Sequence, residues 1–356
     1  MKNVLIKNHI LNQKLISQDV DGLTFLYYFT TSLCDDPVMY SKGVFTYNKG
    51  ATIANIGFNR KKAKRLLSFF YKDVRFNMIT CPPGKVEFAV ETIKEKLGGD
   101  NKPFNEKQET PFEIEVDEPF MLGETEVTQE LFETVMEFNH SEVDPLKRYK
   151  NKPVTNVTWY DCAEFCNRLS DHFGVDRCYK IYNKAFHCAG DNEQKGKPVY
   201  LGSIQRADFE IIQGSNGFRL PKEWEWQLAA RAGTNNKYPG SASEKLLPSV
   251  AWYRSGENPS PRIQPITQKK PNEWGFYDMG GNVWERCENK YFPDEAVILT
   301  IPPDIVLFTK NIHKNHTTAR GGSVYGSSST IESKFRSFHD LSARSSGLGF
   351  RIAKNI

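Results

Sequence analysis

The stretch PNEWGFYDMGGNVWERC at residues 271–287 combines a tight, glycine-containing turn with acidic and aromatic side chains. Its centre, YDMGGNVWE at 277–285, offers the hard oxygen ligands that calcium prefers in proteins. A metal-free loop closed by hydrogen bonds is the alternative. The stretch therefore predicts an ordered loop, with calcium as the ion to test.

Three helices are predicted upstream of this loop. Thr128 is a good N-cap for the first helix, in which apolar residues recur at helical spacing through 131–136. The second is expected from about residue 160 to residue 173. The third follows Pro221, because a proline in the first helical turn loses no hydrogen bond. Long stretches rich in Gly, Pro and Asn lie between and after these helices, so we expect an α+β fold with much irregular structure.

Residues 1–75 differ from the rest, with short β-type runs such as LTFLYYF at 24–30. They are interpreted as a small N-terminal α+β domain that ends in a helix within RKKAKRLLSFFYK at 60–72. A phosphate-binding or membrane-surface role for this basic run is the alternative to a solvated helix face. Residues 76–356 form the second predicted domain, in which the polar, turn-rich residues 96–110 are expected to be a surface loop.

Composition and charge narrow the classes of protein. A net charge of +4 over 356 residues falls well short of the basic character of a dedicated nucleic-acid binder. The N-terminus lacks the continuous apolar core of a signal peptide, and the most apolar stretch, 22–33, is shorter than the roughly 20 residues of a membrane span. The seven cysteines are odd in number and dispersed, which fits reduced thiols. These features predict a cytoplasmic protein, or part of a particle assembled inside the cell.

Six phrases of the chain occur in the order and at the separations found in one known family. They are GETEVTQELFETVM (123–136), PVTNVTWYDCAEFCNRL (153–169), GFRLPKEWEWQLAARAG (217–233), PNEWGFYDMGGNVWERC (271–287), RGGSV (320–324) and LGFRIA (348–353). From about residue 76 onward the chain resembles the formylglycine-generating enzymes, also called the sulfatase-modifying factor domain. The resemblance implies a loop-rich variant of the C-type-lectin-like fold. Because the family includes oxidases, sulfoxide synthases, kinase-fused domains and the hypervariable proteins of diversity-generating retroelements, the fold does not fix the function.

The chain lacks the chemistry for which this family is named. The oxidase holds copper(I) with two thiolates, and the resemblance places those positions near Gly326 and Ile331. No cysteine follows Cys287. Copper and formylglycine generation are therefore not expected, and the protein is interpreted as a pseudoenzyme. The sulfoxide synthases hold iron with histidines, chiefly from an additional domain, whereas His9 is the single histidine of residues 1–75.

The resemblance also implies one structural calcium site. Its ligands would be the side chains of Asp278 and Glu285 and the carbonyl oxygens of Gly281 and Val283.

The C-terminal face is the remaining functional candidate. By resemblance, Trp284 and Ser323 would lie at the former active centre, and residues 324–346 would line the same face. This segment combines aromatic side chains, which anchor ligands, with small polar ones that form hydrogen bonds. The predicted ligand-binding residues are Trp284, Ser323, Tyr325, Ser327, Ser328, Phe335, Arg336 and His339.

These observations predict a non-catalytic recognition protein that binds a protein or glycan through its C-terminal face. The N-terminal domain would attach it to a larger assembly, or the face would be diversified by a retroelement. A metal-dependent oxidoreductase with an altered active site is one alternative, and it requires a transition metal with several side-chain ligands. The other is a structural component of a particle, with both domains buried against neighbours.

Overall fold

We describe the protein from a computed structural model. The structure describes residues 5–6, 16–20, 23–27, 38–41, 44–46, 55–58, 65–97, 103–142, 149–187, 200–255, 261–290 and 315–356. Within these ranges the chain forms many short strands and few helices, so the predicted α+β class is confirmed. No helix in the described ranges has the length and apolar character needed to cross a membrane.

The strands are β1 (Leu5–Ile6), β2 (Ile16–Val20), β3 (Leu23–Tyr27), β4 (Val38–Ser41), β5 (Val44–Thr46), β6 (Asn55–Phe58), β7 (Arg65–Tyr71), β8 (Val74–Cys81), β9 (Gly84–Leu97), β10 (Pro103–Val116), β11 (Phe120–Gly123), β12 (Tyr179–Phe186), β13 (Ile204–Ile211), β14 (Phe218–Arg219), β15 (Trp284–Lys290), β16 (His316–Arg320), β17 (Ser337–Asp340), β18 (Leu348–Gly349) and β19 (Ala353–Asn355). The helices are α1 (Gln129–Met136), α2 (Trp159–His172) and α3 (Glu223–Arg231), with 3-10 helices at Glu244–Ser249 and Ser328–Ile331.

An eight-stranded sheet forms the centre of the fold, in the order β14-β19-β11-β8-β7-β6-β3-β2. A second sheet, in the order β17-β16-β15-β18, carries much of the predicted site. Its β15 and β18 are parallel, and its other pairs are antiparallel. Two long ribbons, β9–β10 and β12–β13, complete the larger part of the structure, and β1, β4 and β5 form a small separate sheet.

The three helices begin where local signals predict. Thr128 Oγ1 accepts a hydrogen bond from the backbone N of Leu131 at 3.2 Å. Thr158 and Asp161 form a reciprocal capping box at the start of α2, with both hydrogen bonds at 3.0 Å. Helix α3 starts two residues after Pro221. These helix predictions are confirmed because the signals that set them lie within one turn of each start.

Helices α1 and α2 pack on one side of the central sheet. The ring centroids of Phe132 and Phe165 are 5.6 Å apart, and Phe165 lies 5.3 Å from Phe350. Helix α3 builds a second apolar cluster around Trp226, which is fully buried. The α3 cluster also contains Cys287 of β15 and Leu122 of β11, so it joins the four-stranded sheet to the central one.

The helix predicted within residues 60–72 is wrong, because residues 65–71 form β7. Leu67 and Phe69 are buried in the cluster that contains α1 and α2, whereas Leu66 packs against the cluster of α3. An apolar run buried on both faces is typical of an interior strand. Strand β7 also pairs with β8, so the sheet continues across the predicted boundary at residue 75, and that boundary stays a prediction.

The surface loop predicted at residues 96–110 is also wrong for most of its length. Strands β9 and β10 pair along their whole length, from the Gly84–Val116 pair to the Leu97–Pro103 pair. Cross-strand pairing stabilises this polar ribbon, and a composition rich in turn-forming residues does not reveal such pairing.

Candidate functional site

Three of the predicted site residues form an aromatic cluster. Trp284 begins β15, Phe335 follows the 3-10 helix at 328–331, and His339 lies in β17. The ring centroid of Trp284 lies 5.9 Å from that of Phe335 and 6.5 Å from that of His339. Phe335 is 38% exposed and Trp284 is half-buried, so the cluster presents ring surface to solvent.

The imidazole of His339 is neutral at pH 7. Burial lowers its pKa to about 4, and the positive charges of Arg286 and His316 act in the same direction. Its Nε2 is buried and has no hydrogen-bond partner within the described part of the chain. His339 therefore adds ring surface to the cluster without adding charge.

Tyr325 is connected to this cluster by Gly347, which lies beside the Tyr325 ring and is hydrogen-bonded to Trp284. The Tyr325 side chain is 37% exposed, and a Cβ built on Gly347 would lie 3.0 Å from its Cδ2. The carbonyl oxygen of Gly347 accepts a hydrogen bond from the backbone N of Trp284 at 2.8 Å. Ser323 is buried, and its Oγ accepts a hydrogen bond from the backbone N of Tyr325 at 3.3 Å. We call Trp284, Tyr325, Phe335 and His339 the aromatic face.

The two other predicted serines stabilise the 3-10 helix at 328–331. The Oγ atoms of Ser327 and Ser329 are 2.8 Å apart, and Ser328 Oγ donates to Glu244 Oε1 at 2.6 Å. These hydroxyls are engaged within the protein, where they fix the turn between Tyr325 and Phe335.

Arg336, the last predicted site residue, is held in an ion pair. Its Nε and Nη2 donate to the two carboxylate oxygens of Glu223 at 2.5 and 2.8 Å. Glu223 is 3% exposed and begins α3. The sequence around Glu223 predicts only the start of a helix. It does not reveal the ion pair, because Arg336 lies 113 residues further along the chain.

A buried arginine that is not among the predicted ligand-binding residues binds the backbone beside Phe335. Arg320 of β16 donates from Nη1 to the carbonyl oxygens of Lys334, at 3.1 Å, and Phe335, at 2.7 Å. Its Nη2 donates to the carbonyl oxygen of Ser333 at 2.8 Å. Arg320 is the first residue of the RGGS motif, and this motif is the sequence signal that could have identified it.

Arg286 of β15 holds the next part of the segment in the same way. Its Nη2 donates to the carbonyl oxygen of Ala343 at 2.5 Å, and its Nη1 to that of Asp340 at 3.3 Å. Burial lowers the pKa of Arg286 and of Arg320 to about 10, so both remain charged at pH 7. We call them the arginine clamps. A guanidinium bound to carbonyl oxygens holds the main chain whatever side chains that segment carries.

The positions assigned by resemblance to the oxidase thiolates are closed by packing. A Cβ on Gly326 would lie 2.4 Å from Thr330 Oγ1. Ile331 is fully buried in an apolar cluster with Tyr238 and Leu247. Cys287 is also fully buried, and burial raises the pKa of its thiol well above the usual value. No thiolate pair can form at these positions in this packing.

The loop predicted to bind calcium is a partial fit for that ion. Asp278 Oδ1 is buried without a hydrogen-bond partner among the described residues, and burial raises the pKa of Asp278 to about 6. Glu285 is already bonded: it accepts hydrogen bonds from Arg351 at 2.5 and 2.7 Å and from Trp226 Nε1 at 2.7 Å. Asp278 thus supplies one open ligand atom, whereas Glu285 would bind a cation in competition with Arg351.

The two predicted carbonyl ligands lie in the same turn. The backbone N of Gly281 donates to the carbonyl oxygen of Gly321 at 2.8 Å, and Gly281 has a φ of 79°. The backbone N of Val283 donates to Oε1 of the buried Glu126 at 3.2 Å. These two hydrogen bonds, which backbone N–H groups donate, order the loop and do not require a metal.

Comparison with known proteins gives the chain a family. A profile of the sulfatase-modifying factor enzyme 1-like domain matches residues 71–356. The solved structure of Treponema denticola variable protein 1 is 26% identical, with a TM-score of 0.57, and the match covers 82% of this chain and 99% of that one. The expected loop-rich fold is thereby confirmed.

Two curated relatives match part of the chain. The chaperone protein LppX of Paenibacillus barcinonensis is 34% identical over 186 residues, which are 47% of this chain and 61% of that protein. The serine/threonine-protein kinase pkn1 of Chlamydia pneumoniae is 31% identical over 216 residues, which are 57% of this chain and 32% of the kinase. The chain therefore matches less than two thirds of the length of each of these relatives.

Proposed function

The chain belongs to the sulfatase-modifying factor enzyme 1-like domain family, and we propose that it is a non-catalytic member that recognises a protein or glycan ligand through the aromatic face. The observation that carries the proposal is that aromatic rings are exposed on a segment whose backbone is held by the arginine clamps. Phe335 and Tyr325 are each more than a third exposed. Rigid aromatic side chains give a large contact area at low cost in conformational entropy.

The arginine clamps support the same proposal. A binding surface gains affinity when its loops are ordered before the ligand arrives, because less entropy is lost on binding. Arg320 and Arg286 order the backbone on both sides of β17. The similarity to a protein described as variable also agrees with a recognition role.

We extend the proposal to the first 75 residues, which would attach the chain to a larger assembly. Strands β2, β3, β6 and β7 extend the central sheet on one side, and β2 is its outer strand there. An outer strand has unpaired backbone groups that can bind another chain.

Ligand capture with two double variants tests the aromatic face. Tyr325→Ala/Phe335→Ala removes two exposed rings, and Phe186→Ala/Leu246→Ala, at positions 49% and 59% exposed elsewhere, is the matched control. Each immobilised protein is applied to native lysate and to a glycan array, and any ligand found is purified and its Kd is measured. We expect binding to weaken about tenfold or more in the first variant only, since each buried aromatic anchor contributes over ~1 kcal/mol. Equal Kd values for both variants would contradict the proposal.

A further inference from the structure

A second cluster of aromatic and basic side chains surrounds Tyr200, and it uses none of the predicted site residues. The guanidinium carbon of Arg344 lies 4.7 Å from the ring centroid of Tyr200. The rings of His140 and His187 lie 5.3 and 5.6 Å from it, both edge to face. All four side chains are half-buried. We call this set the Tyr200 cluster.

Arg344 is held in place by a neutral partner. Within the described part of the chain, its Nη2 donates to Ser203 Oγ at 2.6 Å, and its Nε is buried without a partner. Ser203 Oγ donates in turn to Asp161 Oδ2 at 2.5 Å. Asp161 also accepts hydrogen bonds from the backbone N of Thr158 and of Ile204. The carboxylate of Asp161 is therefore used to cap α2 and to orient Ser203, and no ion pair joins Arg344 to a carboxylate among the described residues.

Two buried arginines of the described structure have such a partner, whereas Arg286 is bonded to carbonyl oxygens instead. Arg219 pairs with Glu225 at 2.6 Å, and Arg351 pairs with Glu285 at 2.5 Å. Burial lowers the pKa of Arg344, and this effect outweighs the opposing effect of the Asp161 charge. An anion beside Arg344 would supply the missing charge.

The two histidines bring ring nitrogens to the same place. His140 Nε2 donates to the carbonyl oxygen of Leu201 at 2.9 Å, which fixes the orientation of its ring. The backbone N of His187 donates to the carbonyl oxygen of Ser203 at 3.0 Å, and its Nδ1 is buried without a partner among the described residues.

We propose that the Tyr200 cluster is a binding site for a small phosphate-type oxyanion, either inorganic phosphate or the phosphate group of a small monoester. Arg344, His140 and His187 reach the site from three separate parts of the chain. A guanidinium matches the geometry of phosphate oxygens, and a phosphate group offers three strong acceptor oxygens, one more than a carboxylate. This site is independent of the aromatic face, and its test does not depend on the proposed function.

Histidine NMR on the full chain tests this proposal. The side-chain resonances of His140 and His187 are followed at pH 7 and constant ionic strength while inorganic phosphate, glycerol 3-phosphate or acetate is added. Arg344→Gln and His187→Gln are the test variants. Arg177→Gln, which breaks an exposed pair with Asp171, is the control. Circular dichroism confirms that each variant is folded.

We expect a saturable shift with phosphate whose Kd rises about tenfold or more in both test variants and is unchanged in Arg177→Gln, since hydrogen bonds to a charged group are stronger than those between neutral groups. Tighter binding of glycerol 3-phosphate would identify a monoester as the ligand, and tighter binding of inorganic phosphate would identify the free ion. The proposal is overturned by the absence of a saturable shift up to about 20 mM, by an equal Kd in Arg344→Gln and wild type, or by acetate binding as tightly as phosphate.

Discussion

At the scale of single residues, His339 couples stability to pH. Its pKa is lowered from 6.5 to about 4 in the folded protein, so the unfolded chain takes up a proton first as the pH falls. The stability that neutral His339 contributes is complete above about pH 6.5 and is lost between pH 6.5 and pH 4. We expect His339→Gln to reduce the loss of unfolding free energy between pH 7 and pH 4.5 by about 1 to 3 kcal/mol. Urea unfolding at both pH values measures this, with Phe338→Ala as the non-titrating control. An unchanged pH dependence would show that His339 titrates normally.

Asp278 is the residue on which the proposed calcium site depends. Its buried Oδ1 has no partner among the described residues. We propose that calcium occupies this position, and we expect it to raise the Tm by about 5 °C at saturating concentration, through binding to the folded state alone. Asp278→Asn should abolish the rise, and Asp171→Asn, at an exposed position, should retain it. Thermal unfolding in calcium, magnesium and chelator measures the effect. The same Tm of wild type in calcium and in chelator would favour the metal-free loop.

At the scale of elements, the arginine clamps stabilise the backbone of residues 333–343 through its carbonyl oxygens, so this stabilisation does not depend on the side chains of the segment. Arg320→Lys keeps the charge but puts one ammonium in place of the two guanidinium nitrogens that reach the three carbonyl oxygens, and we expect a loss of about 2 to 4 kcal/mol in the free energy of unfolding. Tyr325→Ala and Ser329→Ala, in the C-terminal segment that contains these residues, should each cost under about 1 kcal/mol. Guanidinium-induced unfolding measures all three. Comparable losses would show that the side chains, and not the clamps, hold the segment.

The elements that could be predicted from the sequence are those with local signals. Thr128 and Pro221 mark helix starts within a single turn, and α1 and α3 begin there. Helix α2 begins at Trp159, one residue from the start predicted for it. The strand at 65–71 and the ribbon at 84–116 depend on partners elsewhere in the chain, so composition alone suggested a helix and a loop. The aromatic residues of the site could be selected by resemblance. The clamps and the pair between Glu223 and Arg336 could not, because they join distant segments.

At the scale of the whole molecule, the β9–β10 ribbon is attached through its base. Val86 and Val116 are buried there, and Gln227 of α3 donates to the carbonyl oxygen of Glu87 at 2.7 Å. We expect replacement of residues 93–107 by Asn-Gly to change the Tm by less than about 3 °C, because this sequence forms a tight hairpin turn. Val86→Asp, at the base, should lower the Tm far more. Thermal unfolding followed by circular dichroism compares them. A large loss in the shortened variant would mean that the outer ribbon contributes to the fold.

The order of strands in the central sheet has a consequence for protein synthesis. Strand β19, at residues 353–355, lies between β14 and β11, which precede it by more than a hundred residues. While Ala353 is still inside the ribosomal exit tunnel, β11 lacks one of its two partners, and β14, the outer strand on that side, has no partner in the sheet. Long-range pairings of this kind form slowly. We therefore expect the nascent chain to be prone to aggregation until this strand has emerged, and a ribosome stalled shortly before it would hold a chain that cannot complete its central sheet.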